Sequence, residues 1–224
     1  MKATFIDLSH AVEDGMITHP GLPGPKVEVF LSRADSRKNY APGTEFHIGR
    51  IEMVANTGTY VDAPFHRFDR GKDLAELPLA SLADLPGVVF RHDTQQGCGV
   101  GPGLFQGWDL AGKAVLIETG WSAHWGTPRY LEANPFLTRE AAEFLRDVGA
   151  ALVGIDSVNL DDLADRERPA HTLLLGADIP VAEHLCGLDV LPEQGFRFFA
   201  VPVKVRRLGT FPVRAFAIIP PGVS

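Results

Sequence analysis

Residues 56–66, N-T-G-T-Y-V-D-A-P-F-H, hold the side chains of this sequence that are best suited to chemistry. The carboxylate of Asp62 precedes the imidazole of His66 by four positions, and such a pair can exchange protons with a substrate when both groups reach one pocket. If an extended strand continues through the segment, Asn56, Tyr60 and Asp62 point the same way, because side chains alternate along a strand. The pattern therefore predicts a polar pocket built from one short segment.

Two residues with special backbone properties favour such a pocket. Gly58 leaves room for a close approach to the backbone, and Pro64 stiffens the turn that must return His66 towards the carboxylate. The same letters also fit a simpler interpretation, in which residues 57–59 form an ordinary turn, Tyr60 belongs to the core and His66 lies on the surface. The segment alone leaves both interpretations open.

The segment resembles the H-x-G-T-H-x-D-x-P-x-H motif of the cyclase family, which includes bacterial kynurenine formamidases and isatin hydrolases. Five positions match that motif, namely Gly58, Thr59, Asp62, Pro64 and His66. Asn56 and Tyr60 stand where the motif has two metal-binding histidines. The resemblance thus implies a family site in which two of the metal ligands have been replaced.

A second segment strengthens the resemblance. Residues 171–185, H-T-L-L-L-G-A-D-I-P-V-A-E-H-L, are similar to the family block in which a histidine and a glutamate twelve positions later complete the metal site. His171 and Glu183 keep that spacing. Further family-like features follow in order along the chain, at residues 7–10, 119–121, 154–157 and 212–215. Because the resemblance covers nearly the whole chain, we expect one domain over residues 1–224.

The family assigns roles to these residues. In the family, zinc or a similar divalent ion activates water to attack an amide or formamide carbonyl. The resemblance implies that Asp62, His171 and Glu183 are retained metal ligands and that His66 is the retained acid/base residue. A divalent ion lowers the pKa of bound water from about 15.7 to about 7, and a nearby histidine can pass a proton to the leaving nitrogen.

The two replaced positions decide which chemistry remains. Losing two imidazoles leaves one nitrogen and two carboxylates, which is three ligands, the usual minimum for a catalytic zinc site. An oxygen from Asn56 would make the set harder and favour manganese or magnesium. Tyr60 ionises near pH 10 and is a poor ligand, and its ring could fill the metal position so that its hydroxyl bonds Glu183 or His171. The cofactor is therefore a divalent ion, zinc or manganese, or none.

Three functions remain open on these residues. The first is a hydrolase of a small cyclic or formylated amide, acting on a carbon–nitrogen bond other than a peptide bond, with Asn56, Phe65 and Trp121 contacting the substrate. The second is a metal-free lactone hydrolase or lyase, in which Tyr60 acts as an acid/base or stabilises an oxyanion. The third is a catalytically silent protein that binds a small molecule in the same pocket.

The elements that must position these residues follow an α/β pattern. Residues 48–55 alternate between polar and apolar side chains, which predicts a half-buried strand that runs directly into the pocket segment. Residues 114–117 and 150–155 are apolar runs typical of buried strands. Between them, a helix is expected to begin after Thr138 as N-cap and to stop at Gly149. This order predicts a strand–helix–strand unit with parallel strands.

Further strands are expected at both ends of the chain. Residues 5–8 read as a short first strand, and residues 197–205 and 213–219 read as a terminal hairpin joined across residues 208–210. The family resemblance implies a swivelling β/β/α domain, and the predicted elements agree with a mixed sheet and flanking helices of the α/β class.

Composition limits the partners and the location. The formal net charge of -7, without a long basic run, opposes binding to nucleic acid. No segment resembles a signal peptide or a membrane span, so we expect a cytoplasmic protein with two reduced cysteines. The expected partners are a small-molecule substrate and, from the resemblance, other copies of the chain in a homodimer or homotetramer. We interpret His10, His19 and His47, which could line a pocket, as surface or capping histidines.

Overall fold

The computed structural model describes residues 2–222, and no helix among them is both long and apolar enough to cross a membrane. The strands within that range are Thr4–Asp7 (β1), Lys26–Leu31 (β2), Ile48–Glu52 (β3), Tyr60–Asp62 (β4), Leu85–Arg91 (β5), Gly99–Val100 (β6), Ala114–Glu118 (β7), Phe136–Leu137 (β8), Leu152–Ile155 (β9), Val181–Glu183 (β10), Gln194–Phe199 (β11), Thr210–Pro212 (β12) and Phe216–Ile219 (β13). The α-helices are Arg33–Ser36 (α1), Arg139–Asp147 (α2) and Pro169–Gly176 (α3).

A mixed sheet of nine strands forms the centre of the molecule, in the order β1-β13-β11-β5-β7-β9-β10-β4-β12. Its four middle strands, from β5 to β10, run parallel, and the strands on either side of them pair antiparallel. Strand β1, Thr4–Asp7, begins and ends one residue before the first strand predicted at residues 5–8. The α/β class with a mixed sheet and flanking helices is confirmed.

The strand–helix–strand unit is formed by β7, α2 and β9, and its two strands are parallel as predicted. The hydroxyl of Thr138 caps the helix by accepting a hydrogen bond from the Ala141 backbone N–H at 3.3 Å. Both faces of β7 are buried, because Val115 packs among the helices and Leu116 packs on the opposite side of the sheet. Burial on both faces explains why this strand is a continuous apolar run.

The predicted half-buried strand over residues 48–55 is wrong in its burial and its length. The strand ends at Glu52, and each of its five residues is exposed. It pairs only with β2, in a separate two-stranded sheet whose strands are exposed over nearly their whole length. The alternation of side chains reflected strand geometry, since an isolated hairpin keeps the same period without burying either face. We call this hairpin, Lys26–Leu31 with Ile48–Glu52, the arm.

The strand also does not run into the pocket segment. Residues 53–59 have no strand structure, and Gly58 adopts a φ of 66°, in the left-handed region that favours glycine. Strand structure resumes only at Tyr60. The expectation that Asn56, Tyr60 and Asp62 lie on one continuous strand is therefore wrong, although Tyr60 and Asp62, two positions apart on β4, do share one face.

The predicted terminal hairpin is only partly present. Strands β11 and β13 pair antiparallel, but residues 201–205 form no strand. The chain between the two strands instead crosses to the far edge of the sheet, where β12 pairs with β4. This crossing places Thr210 directly opposite Asp62.

Candidate active site

Four polar residues of the two predicted segments meet on neighbouring elements. Strands β4 and β10 pair antiparallel with Tyr60 opposite Glu183, and His171 lies on α3. Asp62, His171 and Glu183 each offer a ligand atom within 4.8 Å of the others, and all three residues are buried. Buried charged groups are stable only when they are paired or bind a metal, so this cluster requires strong internal contacts.

His171 is oriented by a carboxylate on one side and faces two carboxylates on the other. Its Nδ1 lies 2.6 Å from Oδ2 of Asp161, and its Nε2 lies 3.5 Å from Oδ2 of Asp62 and 3.4 Å from Oε1 of Glu183. Burial opposes the charged imidazole, but these three carboxylates raise the pKa of His171 well above its ordinary value. Asp161 also accepts from the backbone N–H of Ala170 at 2.7 Å, which fixes the first turn of α3.

Glu183 accepts hydrogen bonds at both of its oxygens. The hydroxyl of Tyr60 donates to Oε2 at 2.7 Å, and the backbone N–H of Leu160 donates to Oε1 at 2.5 Å. Burial raises the pKa of Glu183 to about 7. Burial raises the pKa of Tyr60 well above 10, and the negative charges of Glu183 and Asp62 raise it further. The phenol therefore remains a neutral donor. The contact between Tyr60 and Glu183 is one of the two anticipated from the sequence.

The cluster fits a divalent ion. Oδ2 of Asp62 is buried without a hydrogen-bond partner, and an orphaned carboxylate oxygen beside an imidazole nitrogen is a suitable ligand. The bond from His171 Nδ1 to Asp161 is the outer contact that metal-binding histidines usually make, and it directs Nε2 towards Asp62 and Glu183. One nitrogen and two carboxylates reach the three ligands of a catalytic site.

Thr210 connects Asp62 to His66. The sequence predicted only that this residue lies in the connection at residues 208–210. Its hydroxyl donates to Oδ1 of Asp62 and lies 2.8 Å from Nδ1 of His66. A hydroxyl has one hydrogen, so a Thr210 that donates to the carboxylate accepts from Nδ1–H of His66. Gly209 permits this contact, because a Cβ there would lie 2.3 Å from the His66 backbone nitrogen. The only signal in the sequence was the Gly209-Thr210 pair.

The cluster opens into a cavity of about 440 Å³. Five residues chosen from the sequence line it, namely Asn56, Tyr60, His66, His171 and Glu183. Several other residues line the cavity that were not predicted to do so, among them His19, Arg67, Asn159 and Arg168. The interpretation of His19 as a surface or capping histidine is therefore wrong. It is held at the cavity by the loop that precedes the arm, and that position has no periodic signature.

Two expected substrate contacts are not among the residues that line this cavity. Trp121 packs with Tyr130 and Val158 in a separate apolar cluster, where its indole N–H donates to the Tyr130 carbonyl at 2.9 Å. Phe65 is half-buried in the turn after β4, where its backbone N–H donates to Lys72. Both residues were predicted as substrate contacts because they are aromatic and lie next to a motif. In the structure, Trp121 instead packs within the loop after β7.

The family model described as Putative cyclase matches residues 6–162 of this chain. Kynurenine formamidase from Bacillus cytotoxicus is 29% identical over 217 residues, which are 96% of this chain and 98% of that protein. Kynurenine formamidase from Bacillus cereus is 27% identical over 212 residues, which are 94% of this chain and 95% of that protein.

A likeness in structure accompanies these matches in sequence. Isatin hydrolase A from Labrenzia aggregata superposes with a TM-score of 0.84 at 25% identity, over 97% of this chain and 94% of that chain. A protein described as a potential metal-dependent hydrolase with cyclase activity gives a TM-score of 0.78 at 24% identity, over 97% of this chain and 98% of that chain. Since the family match spans more than two thirds of its length, this chain belongs to the cyclase family.

Proposed function

We propose that this protein is a hydrolase that cleaves a carbon–nitrogen bond, other than a peptide bond, in a small formylated or cyclic amide. The observation that carries the proposal is the linked set Asp62–Thr210–His66, which borders the buried Asp62, His171 and Glu183 cluster at one cavity. The relatives named kynurenine formamidase and isatin hydrolase support the substrate class. A cavity of about 440 Å³ suits a small molecule.

His66 is placed to move protons at the cavity. Its Nδ1–H is held by Thr210, so the lone pair of Nε2 is free to accept a proton from a nucleophilic water molecule. The protonated ring can then give that proton to the leaving nitrogen. The side chain of His66 is 37% exposed. This exposure allows the ring to reach both the water molecule and the leaving nitrogen while it keeps its contact with Thr210.

Asp62, His171 and Glu183 would hold the divalent ion, and we propose manganese or zinc for this set of one nitrogen and two carboxylates. When bound, the ion would supply Lewis-acid chemistry at the substrate carbonyl. Asp161 keeps His171 in the orientation that this role needs. Tyr60 excludes water from one side of Glu183 and donates to it.

One observation favours a second candidate, a metal-free hydrolase or lyase. Tyr60 and Leu160 already satisfy both oxygens of Glu183, which gives the carboxylate the partners that a buried charge needs. Elemental analysis of protein purified without an affinity tag separates the two candidates. A stoichiometric manganese or zinc content excludes the metal-free candidate, and a metal-free protein that still turns over substrate excludes the metal-dependent one.

The central experiment measures hydrolysis of aryl formamides and cyclic amides by wild type and His66→Ala. We expect the substitution to lower kcat by about 10²–10⁴-fold, because that is the usual contribution of a positioned acid/base group. His47→Ala is the matched control, since His47 is exposed and does not line the cavity. Wild-type turnover in His66→Ala would contradict the proposal. Failure of the wild-type protein to hydrolyse any of these amides would contradict it as well.

We also propose that the protein is a homo-oligomer in which a second copy covers the arm. Val29 and Phe30 of the arm are 61% and 73% exposed, and its paired strands leave Val27, Ile48 and Ile51 exposed as well. An exposed apolar patch on a paired hairpin is typical of an interface. An apolar groove of about 480 Å³ on the same chain, lined by residues that include Trp125 and Leu131, offers a surface for such contacts.

Light scattering of purified protein tests this assembly. We expect wild type at twice or four times the chain mass and Val29→Asp at lower mass, because a charge in an apolar interface is strongly unfavourable. Leu79→Asp is the control, since Leu79 is 67% exposed and lies outside the arm. A monomeric wild type contradicts the assembly, and an unchanged mass for Val29→Asp contradicts the arm as its interface.

A further inference from the structure

Two arginines at the mouth of the cavity have no acidic partner among the residues that the structure describes. Arg67 follows His66 directly, and Arg168 precedes α3. Both line the cavity, yet neither forms an ion pair with a carboxylate within residues 2–222, whereas ten other arginines and lysines do. Several other basic side chains also form no ion pair within residues 2–222, but Arg67 and Arg168 lie together at one cavity, where their positive charges can attract an anion.

The side chain of Arg168 is held in place by neutral groups. Its Nη1 donates to Oδ1 of Asn159 at 3.3 Å and to the Asp162 carbonyl at 3.2 Å. These contacts fix the guanidinium and leave its charge uncompensated. The side chain is also half-buried, which strengthens its attraction for an anion compared with an arginine in open water.

The backbone at Arg168 is strained. Its φ of 49° and ψ of 60° lie in the left-handed region, and the next residue is Pro169. A residue other than glycine rarely adopts this conformation, because its Cβ then lies too close to the following carbonyl oxygen. Strain of this kind is kept where a side chain must be aimed at a functional site, and here the side chain is aimed into the cavity.

The cavity has opposite charges at its two ends. Its buried end holds Glu183, which lies close to Asp62, and its more exposed end, the mouth, holds Arg67 and Arg168. His19 adds no charge at the mouth, because burial and then the charge of Arg168 lower its pKa. A substrate with an anionic group would therefore be oriented with that group at the mouth and its neutral amide carbonyl at the buried end.

We propose that Arg168, assisted by Arg67, binds a carboxylate that the substrate carries away from the bond that is cleaved. The substrate is then an amide with a separate carboxylate, and its orientation in the cavity is set by the arginines. A planar guanidinium matches the two oxygens of a carboxylate and binds them side by side. The inference deepens the proposed hydrolase function and rests on it for the reacting group, whereas the anion subsite can be measured without any reaction.

The kinetic test compares two substrates that differ only in charge. One is a formanilide that carries a carboxylate on its ring, and the other carries a neutral carboxamide at the same position. We expect wild type to prefer the carboxylate in kcat/KM, and Arg168→Gln to reduce that preference by about 10–100-fold, as expected for a lost charge-assisted contact. A smaller loss is expected for Arg67→Gln, because Arg67 is exposed.

Matched variants separate charge from structure. Arg70→Gln removes the same charge from an arginine that does not line the cavity, and we expect the substrate preference to stay that of wild type. Arg168→Lys keeps the charge but not the paired donors, and we expect it to restore part of the preference. Equal preference in wild type and Arg168→Gln would overturn the proposal.

A binding measurement covers the case in which no formamide is hydrolysed. Calorimetric titration with benzoate, which has no bond to cleave, should show binding to wild type and Arg70→Gln and at least tenfold weaker binding to Arg168→Gln. If benzoate binds in this pattern but no amide is turned over, the anion subsite stands and the hydrolase function falls. If benzoate does not bind wild type, or binds all variants alike, the subsite is wrong.

Discussion

The cavity has two sides that differ in burial, in the elements that carry them and in the way their charges are balanced. The buried wall consists of Tyr60, Asp62, His171 and Glu183, on β4, β10 and α3. The open rim consists of His66, Arg67 and Arg168, on a turn after β4 and at the start of α3. Polar groups of the wall contact one another at close range, whereas the two arginines of the rim form no ion pair with any carboxylate in the described part of the chain.

This difference in burial indicates that the two sides of the cavity have different functions. A buried charged cluster must keep its partners, because removing one leaves an uncompensated charge in a medium of low dielectric constant. The rim is more exposed than the wall and can change residues at a smaller cost in stability. We therefore propose that the wall and His66 carry out the chemical step and that the arginines of the rim select the substrate.

Within the wall, the largest effect is expected from Glu183→Gln. Replacing the carboxylate with an amide keeps an acceptor for the Leu160 N–H but removes the charge beside His171. We expect kcat to fall by about 10²–10³-fold, the range seen when a buried group that stabilises the transition state is removed. The measurement is steady-state hydrolysis, with the exposed Glu193→Gln as control. Activity within threefold of wild type would show that the wall does not carry the chemistry.

A smaller effect is expected from Tyr60→Phe. Loss of the hydroxyl leaves Oε2 of Glu183 without its donor, and an unsatisfied buried group costs about 1–3 kcal/mol in the free energy of unfolding. Urea denaturation measures this cost, and calorimetry should show tighter manganese or zinc binding because a ligand oxygen has been freed. Tyr130→Phe is the control, since that buried hydroxyl contacts His184 and not Glu183. Unchanged ion affinity in Tyr60→Phe would mean that the tyrosine does not compete with a metal.

The smallest effect is expected from Thr210→Val, which cuts the link between wall and rim. His66 keeps its place in the turn but loses the acceptor for Nδ1–H, so we expect kcat to fall about tenfold with little change in KM, which is less than the loss expected when the acid/base group itself is removed. Thr210→Ser restores the hydroxyl and should recover most of the rate. A serine variant as slow as the valine variant would point to packing and not to the hydroxyl.

Much of the fold could be predicted from local patterns. The apolar runs of β7 and β9, the Thr138 cap and the end of α2 near Gly149 all follow from rules that involve neighbouring residues. The spacing of His171 and Glu183 identified a helix residue and a strand residue that do meet. These predictions succeeded because the pattern in each segment agrees with its place in the fold.

The failures have one physical cause, which is contact between distant segments. The period of residues 48–52 showed a strand, but only the packing of the whole chain decides that the arm is exposed. Thr210 lies 148 positions from Asp62, and no local rule predicts that β12 crosses the sheet to reach β4. Arg168 is a charged residue in a charged loop, and its place at the cavity depends on where α3 packs.

The sequence by itself determined the family, the α/β class and the residue types available for catalysis, because motif spacing and side-chain periods are local properties. Only the tertiary structure decided that Tyr60 donates to Glu183, that Thr210 joins Asp62 to His66, and that unpaired arginines face a buried carboxylate cluster. Those contacts depend on strand order and on the crossing of the chain after β11. Burial and pairing arise from the packing of the whole chain, and they set the charge of each group.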